Sequence, residues 1–560
     1  MNGRTYDDSM FRDSFEHGYT WLNGFLRNTR RFAERPALID PETTLRWSYR
    51  ELNEQANALA HALIQSGVGQ GDAVMLVMRN CPAFGVAYIA ARKAGAVFFP
   101  ANFRLSAGEL ALLMEHNKPK VVLYSQDAKE IVVRSQELSS WNPVLFVMAD
   151  CIEGSLKECD LPEGHVLYDT YVRGKPACDP VLTFRPHIYD EVVRFCTSGT
   201  TSLPKSVPIN DINEVLSAHD VIMQYPLNCN DVTMNMTPWF HRGGLHSGGL
   251  CPVFYVGACV VVMRKFDPYK ALQWLTEYGI TFLMGAPTNV EMLCRVQEKE
   301  SLDLSSLRGI VTMGSALLKD DCLRYMNVLT PNIFNGYGTT ETFWNSFLSP
   351  RDLPEGAGSA GKSCIDDEVR VVKLYPDKKA EPEEIVPRDG VSEGEIIIFP
   401  PEKTAYSYFG DKSLQKEKFY KGWIYTGDTG SWAQDFSMTI KGRKDDMILV
   451  SGECIYPLQI EEEICKSDLV GDCLVTSVPD SARGNVLVAY AVPADGCKET
   501  LSVDYLRDFT AKSNMLSSYK RPRYFCIVDS LPMTATGKKK HAEMKARALE
   551  DLKNGLLKRF

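Results

Sequence analysis

The sequence predicts an α/β fold: a large N-terminal domain of helix-flanked, largely parallel sheets with a β-rich subdomain, then a small α+β C-terminal domain. Three observations predict it. Short apolar runs (AVMLV, KVVLYS, CVVVM, ITFLMGA, GIVTMGS) alternate with segments of helical periodicity, the pattern that builds parallel sheets. Around residue 390 the texture shifts to hairpin-like pieces such as RDGVSEGEIIIFP and SMTIKGRKDDMILV. Past Arg443 comes a compact unit of about 115 residues, enough for a small domain. A chain of 560 residues is also too long for one ordinary core.

The elements follow in order. RELNEQANALAHALIQS, 50–66, carries apolar residues at helical spacing, and Gly67 follows as a C-cap. GVGQGDAVMLVM reads as a turn and a buried strand. Its glycines follow a helix and precede a strand, the reverse of a dinucleotide fingerprint. A helix over 84–94 and strands at AVFFPAN and KVVLYS continue the alternation. Further strands are expected at VVRFCTS, CVVVM, ITFLMGA, GIVTMGS and NIFNGYG. The C-terminal unit reads as strand MILVS, helix PLQIEEEICKS, strands CLVTSV and VLVAYAVP, helix VDYLRDFTAKS and strand RYFCIVDS. KDD, 444–446, is polar, lies between two strands and reads as a joint.

Composition excludes several classes. Hydrophobic residues make up 44% and charged residues 24%, as in globular enzymes. A net charge of −9 and a pI of 5.7 give no basic face for nucleic acid. The run Lys538-Lys539-Lys540 is a local exception that reads, by charge alone, as a solvated cluster. Sixteen cysteines contain no Cys-x-x-Cys pair, which fits reduced thiols and a cytoplasmic protein rather than a disulfide framework or zinc site. The N-terminus has no apolar signal core. The longest apolar run, Leu250 to Met263, is interrupted by Pro252 and Gly257 and is too short to span a membrane. It reads as a helix end, a glycine turn and a strand.

Three segments carry groups suited to a nucleotide. In FCTSGTTSLPKSVPI, 195–209, a strand runs into a turn of hydroxyls and backbone N–H groups with a lysine, which can grip phosphate oxygens. It is not the common phosphate loop, because the lysine follows proline rather than glycine. Alone it reads equally as a Ser/Thr-rich surface turn. FNGYGTTETFW, 334–344, offers Tyr337 as a flat face for a base, Thr340 as a hydroxyl for phosphate and Glu341 as a hard oxygen for Mg²⁺. GWIYTGDTG, 422–430, presents Asp428 in a glycine-flanked turn, where a carboxylate can accept two ribose hydroxyls; Asp in a turn is usually only a turn former.

With these motifs the sequence resembles the adenylate-forming superfamily, to which AMP-forming acyl- and aryl-CoA synthetases belong. TSGTTSLPKSV, PWFHRGG, MGSAL, NGYGTTET, YTGDTG, GRKDDMILVSGECIYPLQIEEEI and LPMTATGKKKH stand in the family's order across nearly the whole chain. The resemblance implies that Thr197, Ser198, Gly199, Thr200, Thr201 and Lys205 hold the β- and γ-phosphates of ATP. It places Gly314, Ser315 and Ala316 at adenine, with Asn335, Tyr337 and Gly338 bordering the base. Thr340 falls on the α-phosphate contact, Glu341 on the Mg²⁺ ligand, and Asp428 and Arg443 on the ribose. Lys538 matches the lysine that activates the acid, and His241 the aromatic beside the carboxylate. His246 has no match and reads as structural.

The resemblance also implies domains at 1–443, binding ATP and acid, and 444–560, a mobile domain turning about a hinge at Asp445. Ser451 and Gly452 fall on the CoA channel, and Gly452 matches a position where the pantetheine arm needs backbone clearance. Ser202 and Ser206 stand where most relatives have glycine, which implies a stiffer phosphate loop with altered ATP or pyrophosphate handling. No aspartate stands near PWFHRGG to hold a substrate ammonium, which argues against amino-acid activation. The expected enzyme is an AMP-forming acyl-CoA synthetase using ATP, Mg²⁺ and CoA, and able to run in reverse. Trp239, His241, Gly243, Phe343 and Trp344 are expected to line a compact acyl pocket for a small or medium, alicyclic or aromatic, acid; core packing accounts equally well for the bulky ones. Two alternatives stand beside it, an acyl-adenylating enzyme that loads a carrier protein and a non-catalytic nucleotide-binding scaffold. The expected partners are the acid, ATP and CoA, with no nucleic acid and no membrane span; a homodimer is compatible with the sequence.

Overall fold

The structure is a computed structural model. It describes residues 8–149, 161–197, 205–375, 378–444, 446, 448–450, 453–455, 457–480, 484–513, 516, 520–533 and 539–559. The chain divides into two compact units, Met1–Glu368 with Phe399–Gly422, and Val369–Ile398 with Trp423–Phe560. No helix among the described residues is long and apolar enough to cross a membrane.

The first unit is built on two sheets. One runs, edge to edge, through strands Val166–Leu167, Leu145–Ala149, Val121–Ser125, Ala73–Val77, Val97–Pro100, Glu191–Thr197 and Lys205–Asn210. All its pairs are parallel except the last. The other has a parallel centre, Ile333–Thr339, Gly309–Met313, Phe282–Gly285, Val232–Asn235, Cys259–Val261 and Pro36–Asp40. Antiparallel strands Phe343–Leu348 and Leu45–Ser48 flank that centre. Ala73–Val77, Val121–Ser125 and Gly309–Met313 are buried at every position, which explains why their sequences are unbroken apolar runs. The 250–263 run resolves as expected, into helix Leu250–Val256, Gly257 at φ +89° and strand Cys259–Val261.

Helix Tyr49–Gln65 starts at a capping box, Ser48 with Glu51, which satisfies otherwise orphaned N–H groups. Helix Asp211–Gln224 starts the same way, with Asn210 and Asn213. Its Glu214, Ser217 and Asp220, spaced three apart, are all buried. That spacing places them along one face.

In the second unit, strand Trp423–Trp432 pairs antiparallel with both Gly394–Phe399 and Met438–Arg443. A separate sheet runs Val470–Asp480, Gly484–Pro493, Tyr524–Ile527 and Lys558–Arg559. Ile460, Ile464, Val475, Leu487, Leu506 and Phe525 form a core between that sheet and helices Pro457–Cys465 and Val503–Lys512. The protein is thus α/β with mostly parallel sheets and a C-terminal region carrying a small sheet. Within the lysine run Lys540 is exposed, as the charge-based expectation has it, and Lys539 departs from it. Lys539 lies 3.1 Å from Glu461 and 2.9 Å from Asp472 and also donates to the Cys473 carbonyl. Carboxylates from two elements of the core draw it inward.

Candidate active site

The parallel strands Gly309–Met313 and Ile333–Thr339 pair Thr312 with Asn335 and Met313 with Gly336. That register sets Gly314 and Tyr337 side by side at the C-terminal strand ends, where open α/β sheets bind ligands. Gly314 takes φ +85°, Gly314 and Ser315 are exposed, and Ala316 is half-buried. Asn335 is turned into the sheet: its amide accepts from Thr312 Oγ1 at 3.1 Å and donates to the Ser359 carbonyl at 3.2 Å.

Beyond Tyr337 the chain reverses into strand Phe343–Leu348, with a bulge between Tyr337 and Gly338. A Cβ on Gly338 would lie 1.5 Å from the Phe343 carbonyl oxygen, so only glycine fits this hairpin. Phe343 itself takes φ +64°, a region that costs a bulky residue on the order of 1–3 kcal/mol. Its ring is buried, stacked on Trp344 at 4.8 Å and 5.5 Å from the His246 ring. Aromatic packing of this kind offsets the backbone cost.

Between the strands lies the Thr340–Glu341 turn. Arg242 Nη1 donates to the carbonyls of Thr340, at 2.7 Å, and Glu341, at 2.9 Å. Its Nη2 donates to the Lys403 carbonyl and to Ser217 Oγ. Burial pulls the Arg242 guanidinium down to about 10, so it stays charged at neutral pH. The Ala405 N–H donates to the Glu341 carbonyl at 2.7 Å, and the Tyr408 hydroxyl to Glu341 Oε1 at 2.6 Å. Hence the backbone of the turn is clamped while its carboxylate is oriented by a neutral donor.

A single oriented carboxylate suits Mg²⁺, which takes one or two carboxylates and completes its shell with water and substrate phosphates. Among the described residues, two clusters of metal-ligating types, Glu214–His246–Cys251 and Asp220–Cys364–Asp367, do not suit it. Arg92 and His246 bind Glu214, and Lys403 lies between Asp220 and Asp367, so protein cations already fill both. His246 is structural, buried 2.5 Å from Glu214.

Of the phosphate-loop candidates, Thr197 and Lys205 stand opposite each other on antiparallel strands. Ser198, Gly199, Thr200, Thr201 and Ser202 lie outside the described residues. Ser206 is a buried strand residue paired with Cys196, its carbonyl accepting the Phe409 N–H at 2.9 Å. It therefore belongs to the strand that leaves the loop.

Around the proposed acid site, His241 is half-buried, its ring 4.2 Å from that of Phe240. A Cβ on Gly243 would lie 3.3 Å from Met313 Sδ, so its glycine keeps that side open. Trp344 packs among Tyr225, Phe334 and Phe347. Trp239 is fully buried in the core beside Phe84, at 5.6 Å.

In the second unit Asp428 and Arg443 are cross-strand partners, with Arg443 Nη1 2.6 Å from Asp428 Oδ1. Arg443 also donates to the Thr426 carbonyl at 3.1 Å. Asp445, Ser451, Gly452 and Lys538 lie outside the described residues.

Sequence reasoning missed Arg242 and Tyr408. Arg242 sits inside PWFHRGG, directly after His241. An arginine inside an otherwise apolar and glycine-rich stretch was the available signal. Tyr408 belongs to TAYSYFGD, which has no motif of its own.

Gly314, Tyr337 and the Thr340–Glu341 turn at parallel strand ends of the first unit, and the Asp428–Arg443 pair of the second, are the groups of an adenylate-forming enzyme. Family comparison agrees. The AMP-binding enzyme family model matches residues 25–405, and the AMP-binding enzyme C-terminal domain matches residues 459–538. The chain belongs to the AMP-binding enzyme family, within the adenylate-forming superfamily. It is 28% identical over 513 residues to indoleacetate–CoA ligase of Aromatoleum aromaticum, covering 90% of this chain and 93% of that protein. It is 26% identical over 550 residues to 4-coumarate–CoA ligase 1 of Solanum tuberosum, covering 94% and 93%. The crystal structure of the anthranilate CoA ligase AuaEII with anthranoyl-AMP superposes with a TM-score of 0.83 at 23% identity, covering 96% and 98%.

Proposed function

We propose that this protein is an AMP-forming carboxylate–CoA ligase. A small or medium acid attacks the α-phosphorus of ATP, pyrophosphate leaves, and the acyl adenylate passes its acyl group to the thiol of CoA, releasing AMP. The observation that carries the reading is the Thr340–Glu341 turn, clamped by Arg242 and aimed by Tyr408. It fixes the backbone of a hydroxyl residue beside an oriented carboxylate, groups that suit a reaction in which two anions must approach each other. That approach costs Coulomb energy unless positive charge intervenes.

Glu341 would hold Mg²⁺ together with phosphate oxygens of ATP, and the ion would supply that positive charge. Thr340 would donate to the α-phosphate, Thr197, Lys205 and residues 198–201 would hold the β- and γ-phosphates, and Gly314 to Ala316, Asn335 and Tyr337 would border adenine. Asp428 would accept from the ribose hydroxyls, with Arg443 fixing its orientation. Lys538 would neutralise charge on the acid. Domain 444–560 would turn about Asp445 between the two steps and bring Ser451 and Gly452 to the CoA channel. Such gating keeps water from the mixed anhydride.

For the acid, we propose an aromatic or alicyclic carboxylate lying against His241, Gly243 and the Phe343–Trp344 stack. The supporting facts are that stack and the aryl acids in the names of the relatives. The test is to incubate the protein with ATP, Mg²⁺ and a panel of acids, with and without CoA, and to measure pyrophosphate and AMP. Acid-dependent pyrophosphate with CoA-dependent AMP is expected. Pyrophosphate without CoA-dependent AMP indicates a carrier-protein acceptor, and no pyrophosphate with any acid indicates a non-catalytic nucleotide binder.

A further inference from the structure

Helix Asp211–Gln224 sends Asp220 toward Lys403, whose Nζ lies 2.8 Å from both Asp220 Oδ2 and Asp367 Oδ2. All three side chains are at most 5% exposed. One ammonium between two carboxylates leaves a surplus negative charge in the interior, which is expensive unless further hydrogen bonds meet it. The other Asp367 oxygen meets such a bond, accepting from Asn345 Nδ2 at 2.6 Å.

An ionised carboxylate only accepts, so Asn345 must turn its NH₂ toward Asp367 and its oxygen away. That oxygen accepts from Thr342 Oγ1 at 2.5 Å. Thr342 has then used its proton, so Thr339 donates across the 3.0 Å contact between the two hydroxyls. The Thr342 N–H completes the circuit on Thr339 Oγ1 at 3.3 Å. The polarity of three successive groups, Asn345, Thr342 and Thr339, is thereby set from Asp367, and Thr339 is tied to Thr342. Thr340, half-buried, is not part of the circuit, and among the described residues its hydroxyl makes no hydrogen bond. The carbonyl of Lys403, meanwhile, accepts from Arg242, which clamps Thr340 and Glu341. Lys403 thus reaches the turn by two routes.

From this geometry we infer that Asp367, with Lys403 and Asp220, is a positioning residue that holds the Thr340–Glu341 turn in the conformation used for adenylation. The inference rests on the proposed function for what the turn binds. Burial raises the Asp367 carboxyl to about 6, against the lowering influence of Lys403 and Asn345. The other titratable groups around it are Asp220, also raised by burial, and the Cys364 thiol, with Asp366 next in the chain. Protonation of Asp367 removes the charge that fixes the circuit, so the rate of adenylation rises with pH through a midpoint near 6.

The test compares Asp367→Asn, which keeps shape but not charge, with Thr339→Val, which opens the circuit at its far end and leaves the buried ions intact. ATP–pyrophosphate exchange, thioester formation from supplied acyl adenylate, and MgATP affinity are measured from pH 5.5 to 8.5. Both variants are expected to lose about tenfold in exchange kcat, to keep the KM for the acid, and to keep thioester formation within about twofold. Asp367→Asn is also expected to lose the acid limb near pH 6. Wild-type exchange kinetics with an unchanged acid limb would overturn the inference, as would equal losses in both half-reactions. Should Asp367→Asn fail to fold, Thr339→Val decides alone, on kcat against KM. A wild-type protein with no exchange for any acid defeats the proposed function instead. MgATP affinity then decides: binding about fivefold weaker in Thr339→Val supports the inference, and unchanged binding overturns it.

Discussion

Asp428 and Arg443 stand directly opposite each other on antiparallel strands, their side chains 2.6 Å apart. Two motifs fifteen residues apart in sequence are therefore one cross-strand pair. Such pairs are a unit of sheet stabilisation, yet Arg443 is 42% exposed, and pairs in contact with water contribute little to stability.

Asp428→Ala should therefore raise the KM for ATP by about ten- to a hundredfold, the value of one or two hydrogen bonds to a charged group, while the melting temperature changes little. ATP titration of initial rates, alongside thermal unfolding, checks both halves. A large fall in melting temperature with unchanged KM would make the pair structural only.

The Tyr408 hydroxyl orients the Glu341 carboxylate. Groups that aim a metal-binding carboxylate typically alter metal affinity tenfold or more when removed. Tyr408→Phe should raise the Mg²⁺ concentration for half-maximal pyrophosphate release by about tenfold. Titration of Mg²⁺ at saturating ATP measures this, and an unchanged midpoint would assign Tyr408 to packing alone.

Asp211 is buried and accepts the Trp21 N–H at 2.5 Å. Burial raises its carboxyl to about 7. The folded state thus holds this proton more tightly than the unfolded chain does. The resulting stability is complete below about pH 4 and is lost as pH rises through 7, by on the order of 4 kcal/mol. Asp211→Asn keeps an acceptor for Trp21 without the charge, so its stability relative to wild type should improve between pH 4 and pH 8. Denaturant melts at the two pH values give the comparison. A difference independent of pH would contradict it.

Lys538→Ala should abolish most acid-dependent pyrophosphate release but leave thioester formation from supplied acyl adenylate within a few-fold, because only the first step brings two anions together. Equal loss in both steps would remove Lys538 from its proposed role.

The sheet architecture was legible because strands buried on both faces must be apolar throughout, as in AVMLV and GIVTMGS. The candidate ligands at Thr340, Glu341 and Asp428 were legible because their residue types sit in short glycine-rich turns. The supports were not. Arg242 acts on carbonyl oxygens that every residue carries, so nothing in the sequence of its targets marks them. Lys403, Asp220 and Asp367 are far apart in the chain, and each reads as an ordinary surface charge until folding buries all three. The same holds for Lys539, whose two carboxylates come from Glu461 and Asp472. Motif spacing reveals groups that act together locally, whereas these contacts depend on how distant elements pack.

The most direct test of the central claim is the release of pyrophosphate and AMP from ATP by the wild-type protein across a panel of aromatic and alicyclic acids, with and without CoA. The account predicts pyrophosphate release that depends on the acid, and AMP and acyl-CoA formation that depends on CoA. ATP binding with no pyrophosphate release for any acid would contradict it.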